Sequence, residues 1–255
     1  MLGALRSTAR RLLGVTRTPT YYLPLITRPG LRCVLILNNV ESRFTSARTG
    51  APFPAAVVQY DARGDVVGRY DASVPSATEP LELPLEAVAE GYGFVSVDVA
   101  RLQSDLYVTV GDDEAYTATH GRHEFLEAYP PWTRALHAVL GAVAGRLGRT
   151  LPIFIRHQYV YLGPDDRSYV LLLNLSNVTN RVATTAVADG VTTGRRLDTI
   201  APHGAALLDV RALAPAGGAA RVLHLRLTGN AWFNLYLVGA GPRDLAGPLS
   251  LMHVK

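Results

Sequence analysis

The chain has 255 residues and a formal net charge of +4, enough length for one large or two small domains and too little charge, too scattered, to point to nucleic acid. Hydrophobic residues make up 48% and charged residues 18%, so real cores are available while the surface leans on Ser, Thr, Asn and Gly. Cys33 is the only cysteine, which excludes an intrachain disulfide and a cysteine-based zinc site; inside its apolar run it reads as a small buried hydrophobe.

Lys255 is the only lysine, a bias expected of a GC-rich, bacterial genome. No apolar run reaches the roughly 18 residues of a membrane-spanning helix.

Residues 1–40 hold Arg6, Arg10, Arg11, Arg17, Arg28 and Arg32 and no acid before Glu41. Leu2, Leu5, Ala9, Leu12 and Leu13 share one helical face. Three readings compete: a transit peptide, a basic helix lying on an anionic membrane, and a structural helix packed on a domain. The structural helix is preferred, because Trp132–Leu147 repeats the arrangement mid-chain. There Leu136, Val139, Leu140, Val143 and Leu147 form an apolar stripe, Pro130-Pro131 precede it and Gly148 ends it.

Strands are expected over Tyr21–Ile26 and Arg32–Leu37. Arg43–Pro54 reads as a loop, and Ala55–Tyr60 with Val66–Tyr70 as a hairpin over Asp61–Gly64. A short strand follows at Leu81–Leu83. Val95, Val97 and Val99 alternate with polar neighbours, as do Leu106, Val108 and Val110. Gly111–Arg122 is polar and acidic and reads as a loop.

The second half repeats this order. Tyr169–Leu173 is a continuous apolar run, expected to be buried on both faces, and Leu171–Asn174 aligns with Leu35–Asn38. Gly64 and Gly68 match Gly190 and Gly194; Leu223, Leu225 and Leu227 match the Val95–Val99 strand; Leu106-Tyr107-Val108 matches Leu235-Tyr236-Leu237. Spacing from those tyrosines pairs His123 with His253. Asn38 to Gly64 spans 26 positions and Asn174 to Gly190 spans 16, so the first half carries ten extra residues, assigned to Arg43–Pro54.

The fold expected is mainly β: two tandem related antiparallel β-sandwich domains, each preceded by one α-helix, over residues 1–130 and 131–255.

The runs CVLILNNVE and AVVQYDARGDVVGRYDASVPS, followed by the Leu-rich strand at Leu81–Leu85, resemble the sensory rhodopsin transducer family over Arg32–Leu85. The resemblance implies a small β-sandwich that is oligomeric, non-enzymatic and acts by binding partners or small ligands. This chain departs from that family in its length, its duplication and its helices.

Three groups of residues are candidates for chemistry. The loop residues Arg43, Phe44, Arg48 and Phe53 combine charge with aromatic anchors, the types enriched at binding hot spots, on the segment that distinguishes the halves. Trp132 and Trp232 are candidates for a sugar-stacking face. Asp112, His120 and His123 are candidates for a divalent metal on a loop, although H-x-x-H-E matches neither zinc-protease motif. Two glycosylation sequons, at Asn174 and Asn177, are discounted without a signal peptide. No phosphate-binding glycine loop or nucleophile elbow occurs, and no cofactor is expected.

The reading is a non-enzymatic, cytoplasmic module that binds a protein partner or self-associates. The alternatives are a carbohydrate-binding module and a metal-dependent enzyme. Weak membrane-surface contact through the N-terminal basic helix stays open.

Overall fold

The computed structural model describes residues 12–38, 52–75, 80–99, 106–164, 167–215, 221–241 and 244–253. The first nine strands are β1 (Thr16–Ile26), β2 (Arg32–Leu37), β3 (Phe53–Asp61), β4 (Val66–Val74), β5 (Leu81–Pro84), β6 (Tyr92–Val99), β7 (Leu106–Gly111), β8 (Tyr116–His120) and β9 (Arg122–Ala128). Helix α1 (Pro131–Arg146) follows. Then come β10 (Phe154–Leu162), β11 (Arg167–Asn174), β12 (Asn180–Ala188), β13 (Val191–Ile200), β14 (Ala205–Asp209), a short 3-10 turn at Arg211–Leu213, β15 (Arg221–Gly229), β16 (Phe233–Gly241) and β17 (Asp244–His253).

These strands form four antiparallel sheets, ordered β4-β3-β6-β1-β9, β5-β2-β7-β8, β13-β12-β15-β10 and β14-β11-β16-β17. Replacing β1 to β8 by β10 to β17 turns the first two orders into the last two. The one strand left over is β9, which lies on the outer side of β1.

Local details repeat as well. The β3–β4 and β12–β13 turns each place a glycine in the left-handed region, Gly64 at φ 85 and Gly190 at φ 78. Both hairpins carry a register shift, at Gln59/Tyr60 and at Ala186/Val187.

The ten extra residues are found between β2 and β3, a connection of residues 38–52 against 175–179 between β11 and β12. Phe53 and Pro54 are not loop: both belong to β3, and Phe53 packs against the core. Arg43, Phe44 and Arg48 lie outside the described residues, as do residues 1–11 of the expected first helix.

Two more expectations change. Part of the polar stretch Gly111–Arg122 forms β8, a five-residue edge strand whose exposed positions hide its period. Tyr107 pairs with His120 across β7–β8, and Tyr236 pairs with His253 across β16–β17. His120, not His123, is therefore the counterpart of His253, because His123 sits on the extra strand β9.

Apolar burial falls into two clusters. One lies between the β10-containing sheet and one face of the β11-containing sheet, with Val170, Leu172, Leu225 and Leu235. The other combines the first two sheets with the opposite face of that same sheet, including Leu35, Val97, Leu171, Leu173 and Val238. Tyr169–Leu173 thus runs through the molecule buried on both faces, which explains its continuous hydrophobicity.

Candidate interaction surface

Helix α1 begins at a proline, where the missing N–H costs nothing, and closes with a Schellman turn: Arg149 N–H donates to the Ala144 carbonyl and Gly148 N–H to the Gly145 carbonyl. The leader is clamped by Asn177, whose side chain accepts from Tyr129 N–H at 2.8 Å and donates to the Tyr129 carbonyl at 3.2 Å.

The helix buries Thr133, His137 and Gly141 along one line, which continues to Gly145, where Arg181 packs against it. Thr133 Oγ1 donates to the Leu13 carbonyl at 2.7 Å, and His137 Nε2 bonds the Asn230 carbonyl at 3.0 Å. At Gly141 an added Cβ would make only an ordinary 3.6 Å contact with Asn230 Nδ2, whereas at Gly145 it would run into the Arg181 guanidinium, so Gly145 is where the close approach needs a small residue.

This orientation reverses the expectation for the apolar stripe. Leu136, Val139, Leu140, Val143 and Leu147 point outward; Val139 is 61% and Leu147 69% exposed, and Trp132 is 55% exposed beside them. The inward line holds two polar anchors and two glycines, so specific hydrogen bonds rather than apolar burial choose the buried face. A helix face this apolar is normally covered.

A groove of about 160 Å³ runs along it, lined by Leu13, Leu136, Leu140, Leu151, Ile153 and Phe154. On the other side of the helix a polar cleft of about 460 Å³ is lined by Arg134, His137, Asn177, Arg181 and Asn230, among others. The charge is one-sided: no Asp or Glu occurs from Ala128 to Pro164, while Arg134, Arg146 and Arg149 are exposed.

Ile153 leads directly into β10, whose outward residues are Ile155, His157, Tyr159 and Tyr161. The Tyr159 and His224 rings stack at 4.7 Å, and His157 Nδ1 lies 2.9 Å from His224 Nε2. Of these two surfaces only Trp132, on α1, was among the sequence candidates; the Leu/Val stripe and the β10 row were not. The absence of acids from Ala128 to Pro164 and the alternation of Ile155, His157, Tyr159 and Tyr161 are the signals that could have pointed to them.

The sequence candidates are dispersed. Trp232 is partly buried against both apolar clusters, its ring 5.3 and 5.1 Å from the Arg17 and Arg156 guanidinium carbons and edge-on to Phe154 at 5.3 Å. Trp132 lies out on α1, so the two tryptophans form no common stacking platform.

Asp112 caps the β7–β8 turn by accepting from Glu114 N–H and Ala115 N–H at 3.0 and 2.8 Å. His120 is at the far end of β8, four to five residues of strand away, and His123 lies against Tyr21 at 4.9 Å between ring centroids. Among the described residues, no group of three or more His, Cys, Asp or Glu comes together. Asn174, the first sequon, is fully buried, its amide donating to the Val178 and Ala201 carbonyls. Burial pushes the Cys33 thiol up to about 12, which keeps it in the unreactive protonated form.

Compared with family models, curated proteins and solved structures, the chain matches none. Among the described residues no helix is long and apolar enough to cross a membrane.

Proposed function

We propose that this protein is a non-enzymatic partner-binding or assembly module, built as two tandem related antiparallel β-sandwiches over residues 1–130 and 131–255. The outward face of α1 is its binding surface. The observation that carries the reading is the orientation of α1, with its polar side anchored and its stripe of Leu, Val and Trp turned to solvent. The matching strand orders and the resemblance of Arg32–Leu85 to the non-enzymatic sensory rhodopsin transducer family support it further.

The β2–β3 connection, with Arg43, Phe44 and Arg48, is proposed as a second contact, because it is where the two strand sets differ most in length. A cytoplasmic location belongs to the same proposal.

The test is affinity purification of the tagged protein beside a Leu136→Gln/Leu140→Gln variant, with bound proteins identified by mass spectrometry and self-association by light scattering. The reading expects an associated protein or a larger native mass that the variant loses while its melting temperature holds. Identical profiles for the two proteins would refute it.

A second reading, an anionic membrane surface as the partner, is favoured by the acid-free run from Ala128 to Pro164 with its exposed arginines. Co-sedimentation with phosphatidylglycerol vesicles, abolished by high salt, is its signature.

A further inference from the structure

In the first strand set the outer side of β1 is filled: β9 pairs with it over seven residues, from Thr16↔Ala128 to Tyr22↔Arg122. The counterpart of β1 is β10, which among the described residues pairs with β15 alone. Among the described residues, one architecture therefore presents the same edge twice, once closed and once open.

An open edge exposes a row of backbone donors and acceptors, and soluble proteins blunt such rows by shortness, charge, proline or bulges. The other sheet edges here show those devices. β5, β8 and β14 are four or five residues long. β4, β9 and β13 carry charges of both signs, and β17 contains Pro248.

β10 is not protected by shortness, proline or an outward charge, and its one inward charge is already bonded within the chain. It is nine residues long, without proline, and its single full charge, Arg156, is turned inward, where Nε donates to the Phe233 carbonyl at 3.0 Å.

We infer that β10 is a strand-pairing edge whose occupant is β10 of a second copy of this chain, running antiparallel about a twofold axis and joining two four-stranded sheets into one of eight. The edge suits itself. Centring the axis on Gln158 pairs all nine residues, and Arg156 then faces Val160 of the other copy rather than its own twin. Ile155 faces Tyr161, and His157 faces Tyr159. These are the aromatic and β-branched cross-strand pairs that stabilise antiparallel sheets. All four of these residues are exposed in the single chain, so pairing needs no rearrangement of the core. The geometry is also the one the protein already uses at β1, where β9 runs antiparallel.

The experiment is light scattering on the full chain together with disulfide trapping. The expected mass is twice 27.5 kDa. A His157→Cys/Tyr159→Cys variant should form an interprotomer disulfide under mild oxidation, without interference from Cys33, which is buried. An Ile155→Lys/Tyr159→Lys variant, altering exposed positions only, should return the mass to 27.5 kDa with an unchanged circular dichroism spectrum. A monomeric wild-type chain at high micromolar concentration would overturn the inference. So would a dimer that resists the lysine pair and fails to trap through positions 157 and 159, because its interface would lie elsewhere.

Discussion

The hydroxyl of Tyr236 on β16 donates to the backbone carbonyl of Tyr22 on β1 at 3.1 Å, and the two rings meet edge-on at 5.9 Å between centroids. Both side chains are fully buried, and burial raises the phenol pKa of each. This contact ties one strand set to the other inside a shared apolar cluster. Tyr236→Phe should lower unfolding stability by about 1 kcal/mol, the usual net value of one buried hydrogen bond, with little change in packing. Urea denaturation measures it; an unaltered midpoint would show that the bond contributes nothing.

A second tie runs through Glu127, which is held by a buried ion pair between β1 and β9 of the first set. Arg17 donates to the Glu127 carboxylate through Nε at 3.0 Å and Nη2 at 2.8 Å, and Tyr129 donates to the other carboxylate oxygen at 3.1 Å. Glu127 is fully buried and Arg17 is 29% exposed. Backbone bonds from Glu127 N–H to the Leu175 carbonyl and from Asn177 N–H to the Glu127 carbonyl join the same point to the β11–β12 connection. Glu127→Ala should cost about 3 kcal/mol, because it strands a partly buried guanidinium. Calorimetry should still record one transition rather than two, since the apolar cluster spans both strand sets. A second resolved transition would mean that the sets unfold independently.

Much of this arrangement was legible in the sequence. Tyr169–Leu173 announced a strand buried on both faces, the paired glycines marked equivalent hairpins, and spacing placed ten extra residues between β2 and β3. What local pattern could not supply was direction. The stripe on α1 is correct as a period, but the face that turns inward is decided by the His137–Asn230 and Thr133–Leu13 contacts, which join residues about a hundred positions apart. Edge strands were the other blind spot. β8 alternates Tyr and Ala with threonines, and β9 sets Phe125 beside Leu126 instead of two apart, so no clean hydrophobic period marks either, and the histidine counterpart was displaced by one strand.

Val97 and Leu225 occupy equivalent central strands, β6 and β15, and both are fully buried. Val97→Asp and Leu225→Asp should each cost several kcal/mol by placing an unpaired carboxylate in an apolar core. Loss of the cooperative melting transition is the expected readout, and wild-type melting of either variant would remove that residue from the core.

His203 joins the two sets at another point, stacked on Tyr60 at 5.5 Å between centroids with φ at 53. Burial lowers its pKa from the usual 6.5. Between that lowered value and 6.5 the unfolded chain binds the proton more readily, so the contribution of His203 to stability is complete above pH 6.5 and declines as pH falls through this window. His203→Asn tolerates the left-handed backbone. Urea midpoints at pH 7.5 and 5.5 should therefore differ less in the variant than in the parent protein; equal differences would contradict this role.

The central claim is that the apolar face of α1 looks outward and is spare for recognition. It is tested most directly by the melting temperature of Leu136→Gln/Val139→Gln/Val143→Gln, measured by calorimetry at a concentration where the chain is monomeric. Exposed substitutions usually shift stability by no more than about 0.5 kcal/mol each, so a melting temperature within a few degrees of the parent protein is predicted. A collapse by tens of degrees, as burial of three polar amides in a core would produce, would contradict the account and place that face against the body of the protein.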